Sequence, residues 1–345
     1  MVWPRSLDRE YFRFKFFMLY PLRVTPIYRS AIWGGRKLAA LPGRDLPPCA
    51  RISESWDVSG HPKGMSIVEN GPLAGCSIHE IFCRYRSELL GRHADLPFER
   101  FPLMVKFLDA NRQLSVQVHP DAEYVARERC DDAEKAEAWV ILEAVPGSRM
   151  ALGFQKPVSR EDVAEAVRNE SLESILAERE PLPGECYFLP PGTVHSLGSG
   201  IFLYEIQQCS DLTFRLYDWN REDEHGKRRE LHVLQALENL KPEYWKPAPV
   251  PPKQTEPGME VLLEEEVLAL DRYFFSGELP IRMLDCADSC RILTVISGSL
   301  KVEGLDRELV CGGSVILPAS LGKVCLESRE AVVLDAHLPV REDKK

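Results

Sequence analysis

The chain has 345 residues, 44% of them hydrophobic, and its formal net charge is -10. This length exceeds the roughly 100 to 200 residues of one domain, so we expect two domains. An acidic chain has no overall positive field to attract nucleic acid or anionic lipid, and the sequence lacks the uninterrupted run of about 20 apolar residues that a membrane helix needs. Neither partner is therefore expected, whereas a few converging cationic side chains would suffice to bind a small phosphorylated molecule.

Ten cysteines are scattered along the chain without a C-x-x-C pair. In a chain of this length that lacks a secretion signal, this pattern indicates free thiols in a reducing compartment, and it predicts a cytoplasmic protein. The first twenty residues contain apolar side chains interrupted by charges, while a secretory leader needs about 7 to 15 uninterrupted apolar residues. We interpret residues 1–20 as an N-terminal extension.

Short runs of β-branched and apolar residues alternate with helical patterns up to residue 240. Proline and glycine interrupt every run between residues 20 and 54, which favours short strands and loops. Strand patterns lie at residues 102–118, 137–143 and 185–190, and helical patterns at 77–92, 159–180 and 230–240, with Ser159 as the N-cap of the second helix. This mixture predicts a mainly β domain with accessory helices over residues 21–245.

Five prolines crowd into residues 246–257, where they remove the backbone donors that helices and sheets need. This stretch is predicted to be a linker. Short strand-like pieces separated by glycines follow, at residues 292–302, 314–317 and 331–334. They predict a second, small all-β domain over residues 258–340.

Potential metal ligands occur in and around the strand patterns. In LSVQVHP the side chains alternate, so Gln117 and His119 point to one face of a strand. Glu137 begins the strand EAWVILE, and His195 follows the turn PPG. Two imidazoles, a carboxylate and an amide oxygen suit zinc or another divalent transition ion, and four protein ligands leave positions open for water or substrate.

Two motifs make this combination more specific. GECYFLPPGTVH, which ends at His195, resembles the second cupin motif at each fixed position, and QVHP resembles the first cupin motif with Gln117 in place of its first histidine. Both occur in the expected order and at a separation that fits one domain. The resemblance implies a jelly-roll barrel of the cupin type.

Longer segments narrow the resemblance to the type I mannose-6-phosphate isomerases of the short bacterial form. They are residues 54–62 (ESWDVSGHP), 102–125, 135–139 (KAEAW), 189–221 and 226–237. The resemblance implies an enzyme that interconverts mannose 6-phosphate and fructose 6-phosphate. It also implies one zinc ion per chain, bound by Gln117, His119, Glu137 and His195, with Arg215 as the catalytic arginine.

The proton carrier between C1 and C2 of the sugar has two candidates. Lys135 lies two residues before Glu137 and would face the same way, and a lysine near a metal can have a lowered pKa suited to general base work. Glu205 shares a strand face with Gln207 and is the other candidate. On the strand TFRLY, Thr213, Arg215 and Tyr217 are predicted to share one face.

The second domain contains the turn GGSVILP, but no histidine follows it, so we expect a metal-free cupin-like barrel. The oligomer is expected to be a monomer or a homodimer. Two other functions remain open. One is another cupin enzyme, such as a metal-dependent glucose-6-phosphate isomerase or an oxygenase, and the other is a non-catalytic protein that binds sugar phosphate.

Overall fold

The computed structural model describes residues 18–42, 44, 46, 51–222, 225–244 and 246–339. Most of the predicted N-terminal extension lies outside the described residues. Its last residues pack against the protein, because Leu19 is buried and the Tyr20 hydroxyl donates to the carbonyl of Asn70 at 2.7 Å. Among the described residues, no helix has the length and apolar character that crossing a lipid bilayer requires.

Antiparallel strands dominate the part of the chain that carries the motifs. The strands are β1 Ile27–Arg29, β2 Glu54–Val58, β3 Gly60–His61, β4 Gly64–Met65, β5 Leu103–Ala110, β6 Val116–Val118, β7 Glu137–Ala144, β8 Met150–Phe154, β9 Leu176–Arg179, β10 Cys186–Leu189, β11 His195–Leu197, β12 Ile201–Gln208 and β13 Phe214–Tyr217. The helices are α1 Ile78–Arg84, α2 Arg86–Leu90, α3 Ala122–Glu128, α4 Arg160–Arg168 and α5 Val233–Asn239.

Eleven of these strands form two sheets that face each other, and β3 and β4 form a separate two-stranded sheet. One sheet has the order β1-β2-β5-β12-β7-β10, and the other has the order β13-β6-β11-β8-β9. Trp139 of the first sheet contacts His195 of the second, with 5.4 Å between their ring centroids, so the inner faces meet at the predicted site. This arrangement is the jelly-roll architecture that the sequence predicts.

A further sheet occupies the carboxy-terminal region. Its strands are β14 Lys253–Glu256, β15 Met259–Glu264, β16 Ala269–Phe275, β17 Ile281–Asp285, β18 Arg291–Val302, β19 Leu309–Val310, β20 Ser314–Leu317, β21 Lys323–Glu327 and β22 Ala331–His337. The main order is β14-β15-β16-β22-β18-β21-β17, and β19 and β20 also pair with β18. The region is thus all-β, and it contains more strands than the three sequence patterns indicated.

The predicted linker is partly a strand. Lys253–Glu256 pairs antiparallel with Met259–Glu264 as the outermost strand of the carboxy-terminal sheet, where the prolines just before it do not interrupt a ladder. Leu22 also pairs with Ile316, and one hydrophobic cluster contains residues from both regions. The proposed boundaries at residues 245 and 258 stay a prediction, and the two regions pack against each other.

Helix α4 is shorter than the sequence pattern suggested. Ser159 is its N-cap as predicted, and its hydroxyl accepts from the backbone nitrogen of Asp162 in a capping box. The helix ends at Arg168, and Glu170 adopts a left-handed backbone with φ of 52°. Residues Leu176–Arg179 then form β9 at the edge of the second sheet. The apolar spacing beyond residue 170 therefore does not continue the helix, contrary to the prediction.

Candidate metal centre

The first two candidate ligands come from β6 and its end. Gln117 lies in β6 and pairs with His195 of the neighbouring β11, and His119 follows β6 directly. The Nδ1 atom of His119 donates a hydrogen bond to the carbonyl oxygen of Leu212, 3.0 Å away. This hydrogen bond leaves the lone pair of His119 Nε2 free to face the space between the sheets.

The turn before β11 fixes the second histidine. Gly192 has φ of 92°, and a side chain at this position would meet the carbonyl of Asn239 at 2.7 Å, so only glycine fits. Thr193 closes the turn by donating from its hydroxyl to the carbonyl of Pro190 at 2.8 Å. His195 Nδ1 then donates to the carbonyl of Thr193 at 3.0 Å, so Nε2 of this imidazole carries a lone pair and is an acceptor.

Glu137 completes the cluster from the opposite sheet. Its carboxylate lies 3.3 Å from Nε2 of His119 and 3.3 Å from Nε2 of His195, and one potential ligand atom from each of the three residues lies within 4.8 Å of the others. All three side chains are buried. Within the described residues, His119 Nε2 and Glu137 Oε1 have no hydrogen-bond partner, while Oε2 of Glu137 has the ammonium of Lys135 at 2.9 Å. Buried acceptors without a partner are costly unless a cation binds them.

The protonation states also fit a cation. Burial, assisted by the positive charge of Lys135, lowers the pKa of His119 to about 3, and burial likewise lowers the pKa of His195. Burial alone would raise the pKa of Glu137, but Lys135 and the two histidines hold it well below its usual range. At neutral pH the cluster therefore presents neutral imidazoles and a carboxylate, the forms that bind divalent metals.

Gln117 is the fourth predicted ligand and lies at the edge of this cluster. Its Nε2 atom lies 3.0 Å from Nε2 of His195, to which it donates. A half-turn of the side-chain amide would place the oxygen there instead, next to the imidazole. The four residues thus offer the donor set that a divalent transition metal takes in an open site.

Two of the predicted catalytic side chains lie near the cluster, Glu205 in β12 of the first sheet and Lys135 in the segment just before β7. Lys135 Nζ lies 2.9 Å from a carboxylate oxygen of Glu137. Glu205 accepts from the indole of Trp139 at 2.9 Å and lies 3.5 Å from Lys106 Nζ. Both predicted residues are buried.

The pKa of Lys135 is raised, in the direction opposite to the sequence-based expectation. Burial would lower it, but the carboxylates of Glu137 and Glu205 outweigh burial. The pKa of Glu205 is also raised, because burial and the nearby charge of Glu137 disfavour its carboxylate form more than Lys135 favours it.

Arg215 lies in β13, where it pairs with Gln117 of the neighbouring strand β6. Its Nη1 atom donates to the carbonyl of Glu230 at 2.8 Å, and its buried Nε atom has no hydrogen-bond partner. Burial and the positive charge of Arg229 lower the pKa of Arg215. An anion placed beside it would relieve that electrostatic strain.

The predicted shared face on β13 is wrong beyond Arg215. The ladder to β6 shifts register between Arg215 and Tyr217, and Tyr217 turns into the hydrophobic cluster that also contains Leu216. Its hydroxyl donates to Glu173 at 2.9 Å. A β-bulge of this kind breaks the two-residue alternation on which the prediction relied.

Sequence reasoning missed Lys106, which lies at the centre of the inner face of the first sheet. Its Nζ atom approaches Glu205, Glu54 at 3.8 Å, and the ring of Trp56 at 4.9 Å from the centroid. The sequence contains a signal for this residue, because Lys106 interrupts the otherwise apolar run LMVKFL. In the structure, every residue of β5 is buried. A lysine in such a strand is rarely buried without a charged partner.

The jelly-roll fold and the buried histidine–carboxylate cluster define a metal-binding protein of the cupin class. Comparison with known proteins narrows this class. The model of the phosphomannose isomerase type I catalytic domain matches residues 21–148. The mannose-6-phosphate isomerase of Streptococcus mutans is 33% identical over 309 residues, which cover 88% of this chain and 94% of that relative.

Two proteins of Bacillus subtilis extend the comparison. The mannose-6-phosphate isomerase ManA is 36% identical over 218 residues, which cover 63% of this chain and 67% of that relative. A crystal structure of the mannose 6-phosphate isomerase from the same organism superposes with a TM-score of 0.83 at 27% identity, covering 92% of this chain and 100% of that one. The chain belongs to the type I phosphomannose isomerase family, a family of aldose–ketose isomerases.

Proposed function

We propose that the chain interconverts mannose 6-phosphate and fructose 6-phosphate with one zinc ion held by Gln117, His119, Glu137 and His195. The observation that carries this proposal is the cluster of buried potential ligand atoms from His119, Glu137 and His195, which lie within 4.8 Å of one another between the two sheets. Neutral imidazoles, an amide and a single carboxylate favour zinc over magnesium or calcium, which prefer all-oxygen sites. When bound, such an ion supplies a Lewis acid for the two sugar oxygens at C1 and C2.

The isomerisation moves one proton from C2 of the aldose to C1 and one from the C2 hydroxyl to the C1 oxygen, and it leaves the overall oxidation state unchanged. We assign the C2 proton to Lys135 or Glu205, the two buried titratable side chains next to the cluster. Lys135 is the preferred carrier because it approaches Glu137 at 2.9 Å and so lies nearer the cluster. Lys106 contacts Glu205 and keeps it oriented.

Arg215 is assigned to the substrate's negative charge. Its cross-strand pairing with Gln117 of β6 supports this assignment. A guanidinium offers a fixed fork of donors that suits either the phosphate or the oxygens of an enediolate. Its unpartnered Nε atom is one donor that such an anion can use.

The test is an assay that couples fructose 6-phosphate formation to a dye, with mannose 6-phosphate or glucose 6-phosphate as substrate. We expect turnover of mannose 6-phosphate, loss of activity after exhaustive chelation, and recovery with zinc. Activity that survives complete metal removal would contradict the metal assignment, and preference for glucose 6-phosphate would contradict the substrate.

The proton carrier is tested by following exchange of the C2 proton with deuterated water. Lys135→Met is expected to abolish exchange while Glu205→Gln slows it, since only the carrier itself is indispensable for exchange. The opposite result would assign the proton to Glu205. Zinc content is measured in both variants, so that loss of the ion is not mistaken for loss of the carrier.

A further inference from the structure

Asp132 lies outside the predicted site, yet its carboxylate joins three separate segments of the chain. It accepts from Nε2 of His61 at 3.0 Å, from Nη1 of Arg100 at 3.1 Å and from the backbone nitrogen of Asp211 at 2.9 Å. A fourth hydrogen bond comes from the backbone nitrogen of Ala133 at 2.9 Å. We call this set of contacts the Asp132 junction.

The contacts of the Asp132 junction define the protonation states of His61 and Asp132. The backbone nitrogen of Lys63 donates to Nδ1 of His61 at 3.2 Å, so Nε2 of His61 carries the proton that it donates to Asp132. Burial would raise the pKa of Asp132, but His61 and the two backbone donors lower it to about 2. The carboxylate is therefore charged at neutral pH, and all its partners are donors.

One chain of hydrogen bonds connects the Asp132 junction to His119. Asp132 fixes the backbone of Asp211, and the hydroxyl of Ser210 accepts from the backbone nitrogen of Leu212 at 3.2 Å. The carbonyl of Leu212 accepts the Nδ1 proton of His119 at 3.0 Å. The loop at residues 209–212 thus determines which ring nitrogen of His119 faces Glu137.

A second set of hydrogen bonds connects the junction to the segment that carries Lys135 and Glu137. The hydroxyl of Ser210 donates to the carbonyl of Ala133 at 2.7 Å, and the backbone nitrogen of Ala136 donates to the side-chain oxygen of Gln208 at 2.9 Å. Gln208 donates in return from its backbone to the carbonyl of Ala136 at 3.1 Å. The same loop therefore holds the segment that delivers the carboxylate ligand from the opposite sheet.

We propose that Asp132 is a positioning residue of the metal centre. Its carboxylate holds the loop at residues 209–212 against the segment before β7, and this contact sets the orientation of His119 relative to Glu137. Hydrogen-bond partners that orient metal-ligating side chains usually contribute about 10- to 100-fold to metal affinity. The inference rests on the metal centre assigned in the proposed function, and it adds a residue that touches neither metal nor substrate.

The first test is Asp132→Asn. An amide of the same shape has one oxygen instead of two, and its NH₂ group must face a donor, so the junction loses contacts and its charge. We expect the zinc dissociation constant, measured by competition with a chelating dye, to rise by about 10- to 100-fold. Excess zinc is expected to restore kcat, because the catalytic side chains remain in place.

A matched control separates positioning from a general loss of stability. Glu260 forms a partly buried ion pair with Arg272 in the carboxy-terminal sheet, at 2.9 Å from Nε, and touches no part of the site. Glu260→Gln removes the same charge from a similar pair. We expect a comparable drop in Tm of the metal-free protein and an unchanged zinc dissociation constant.

A second variant keeps the test decisive if Asp132→Asn does not fold. Ser210→Ala removes the hydroxyl that bonds both Ala133 and Leu212 without leaving a buried charge. We expect zinc affinity to fall about tenfold, at the lower end of the range for orienting partners. Zinc dissociation constants within twofold of wild type in the folded variants would overturn the proposal, whatever happens to Tm or kcat.

The zinc dissociation constant also distinguishes a failure of this inference from a failure of the proposed function on which it rests. If the metal assignment were wrong, the unmodified protein would show no tight zinc binding in the dye competition. If only the role of Asp132 were wrong, the unmodified protein would bind zinc and the variants would bind it equally well. Labelling with ¹⁵N-histidine adds a spectroscopic check, since loss of the Leu212 contact is expected to change the tautomer signal of His119.

Discussion

Two internal clusters of histidine and acidic side chains can be compared. The metal cluster lies between the sheets of the cupin-type barrel, and the carboxy-terminal cluster lies on β16 and β22. Each brings three potential ligand atoms within 4.8 Å of one another, from His119, Glu137 and His195 in the first and from Asp271, Asp335 and His337 in the second. All six side chains are buried, so neither burial nor residue type distinguishes them.

The clusters differ in what already occupies their donor atoms. In the carboxy-terminal cluster, Asp335 accepts from Nη1 of Arg291 at 3.0 Å and from the hydroxyl of Tyr273 at 2.9 Å. His337 approaches Asp271 through Nε2 at 3.2 Å and the carbonyl of Leu338 through Nδ1 at 2.8 Å. A guanidinium therefore supplies the positive charge that a metal would bring.

The unpartnered atoms lead to the same conclusion. Within the described residues, they are in the metal cluster Nε2 of His119 and Oε1 of Glu137, two acceptors that belong to the same group of potential ligand atoms. In the carboxy-terminal cluster they are one oxygen of Asp335 and the Nε–H of Arg291, an acceptor and a donor. Convergent lone pairs, and not the residue types alone, distinguish a metal site from a buried ion-pair network.

The largest effect is expected when a histidine is removed from each cluster in turn. His119→Ala or His195→Ala deletes one of two imidazole ligands, and we expect zinc affinity to fall by about 10³-fold or more, beyond the effect of losing an orienting partner. His337→Ala is expected to leave zinc affinity and stoichiometry unchanged. Metal analysis together with dye competition measures both, and a second zinc ion lost with His337 would contradict the distinction.

The two arginines provide the next comparison. Burial and the neighbouring Arg229 lower the pKa of Arg215, whereas the carboxylate of Asp335 outweighs burial and raises the pKa of Arg291. Of these two arginines, Arg215 is thus the one that gains more from a nearby anion. Arg215→Lys is expected to keep zinc content and to lower kcat by about 10² to 10³, the range for loss of one oxyanion donor.

Two other outcomes of the Arg215→Lys experiment are informative. An unchanged kcat with a raised KM would mean that Arg215 binds the phosphate equally in ground and transition states. Loss of zinc would place Arg215 among the groups that support the metal, contrary to the prediction. Steady-state kinetics and metal analysis of one preparation separate these outcomes.

Removing Arg291 tests the structural role of the second cluster. Arg291→Met leaves Asp335 buried without its cation, and we expect the free energy of unfolding to fall by about 3 to 5 kcal/mol. Arg282→Met breaks a more exposed pair with Glu256 and is expected to cost about 1 kcal/mol or less. Urea titration measures both, and equal costs would contradict the assignment of Arg291 as the buried counter-charge.

Much of the site could be predicted because its signals are local. Strand alternation in LSVQVHP predicts Gln117 and His119 on one face, and the motif that ends at His195 indicates this histidine directly after the PPG turn. The N-cap of helix α4 at Ser159 could likewise be predicted, because a capping box requires only four neighbouring residues. Such features depend on spacing, which a sequence displays directly.

The features that were missed depend on tertiary contacts. The bulge after Arg215 turns Tyr217 into the core, and β9 forms because β8 offers it an edge. The Leu212 carbonyl, 93 residues from His119, orients that histidine through a loop with no recognisable motif. The raised pKa of Lys135 follows from the acids packed around it, and a sequence pattern does not place these.

The smallest effect is expected for Gln117, the proposed ligand that has no counterpart in the carboxy-terminal cluster. A neutral amide oxygen is the weakest donor of the four, so Gln117→Ala is expected to reduce zinc affinity by about tenfold, less than loss of either histidine. Gln155→Ala is the matched control, because its amide donates to the carbonyl of Leu176 at 3.1 Å, at the far edge of the same sheet. Equal zinc loss in the Gln117, His119 and His195 variants would contradict this ranking, since it would mean that all four donors are needed before the ion binds.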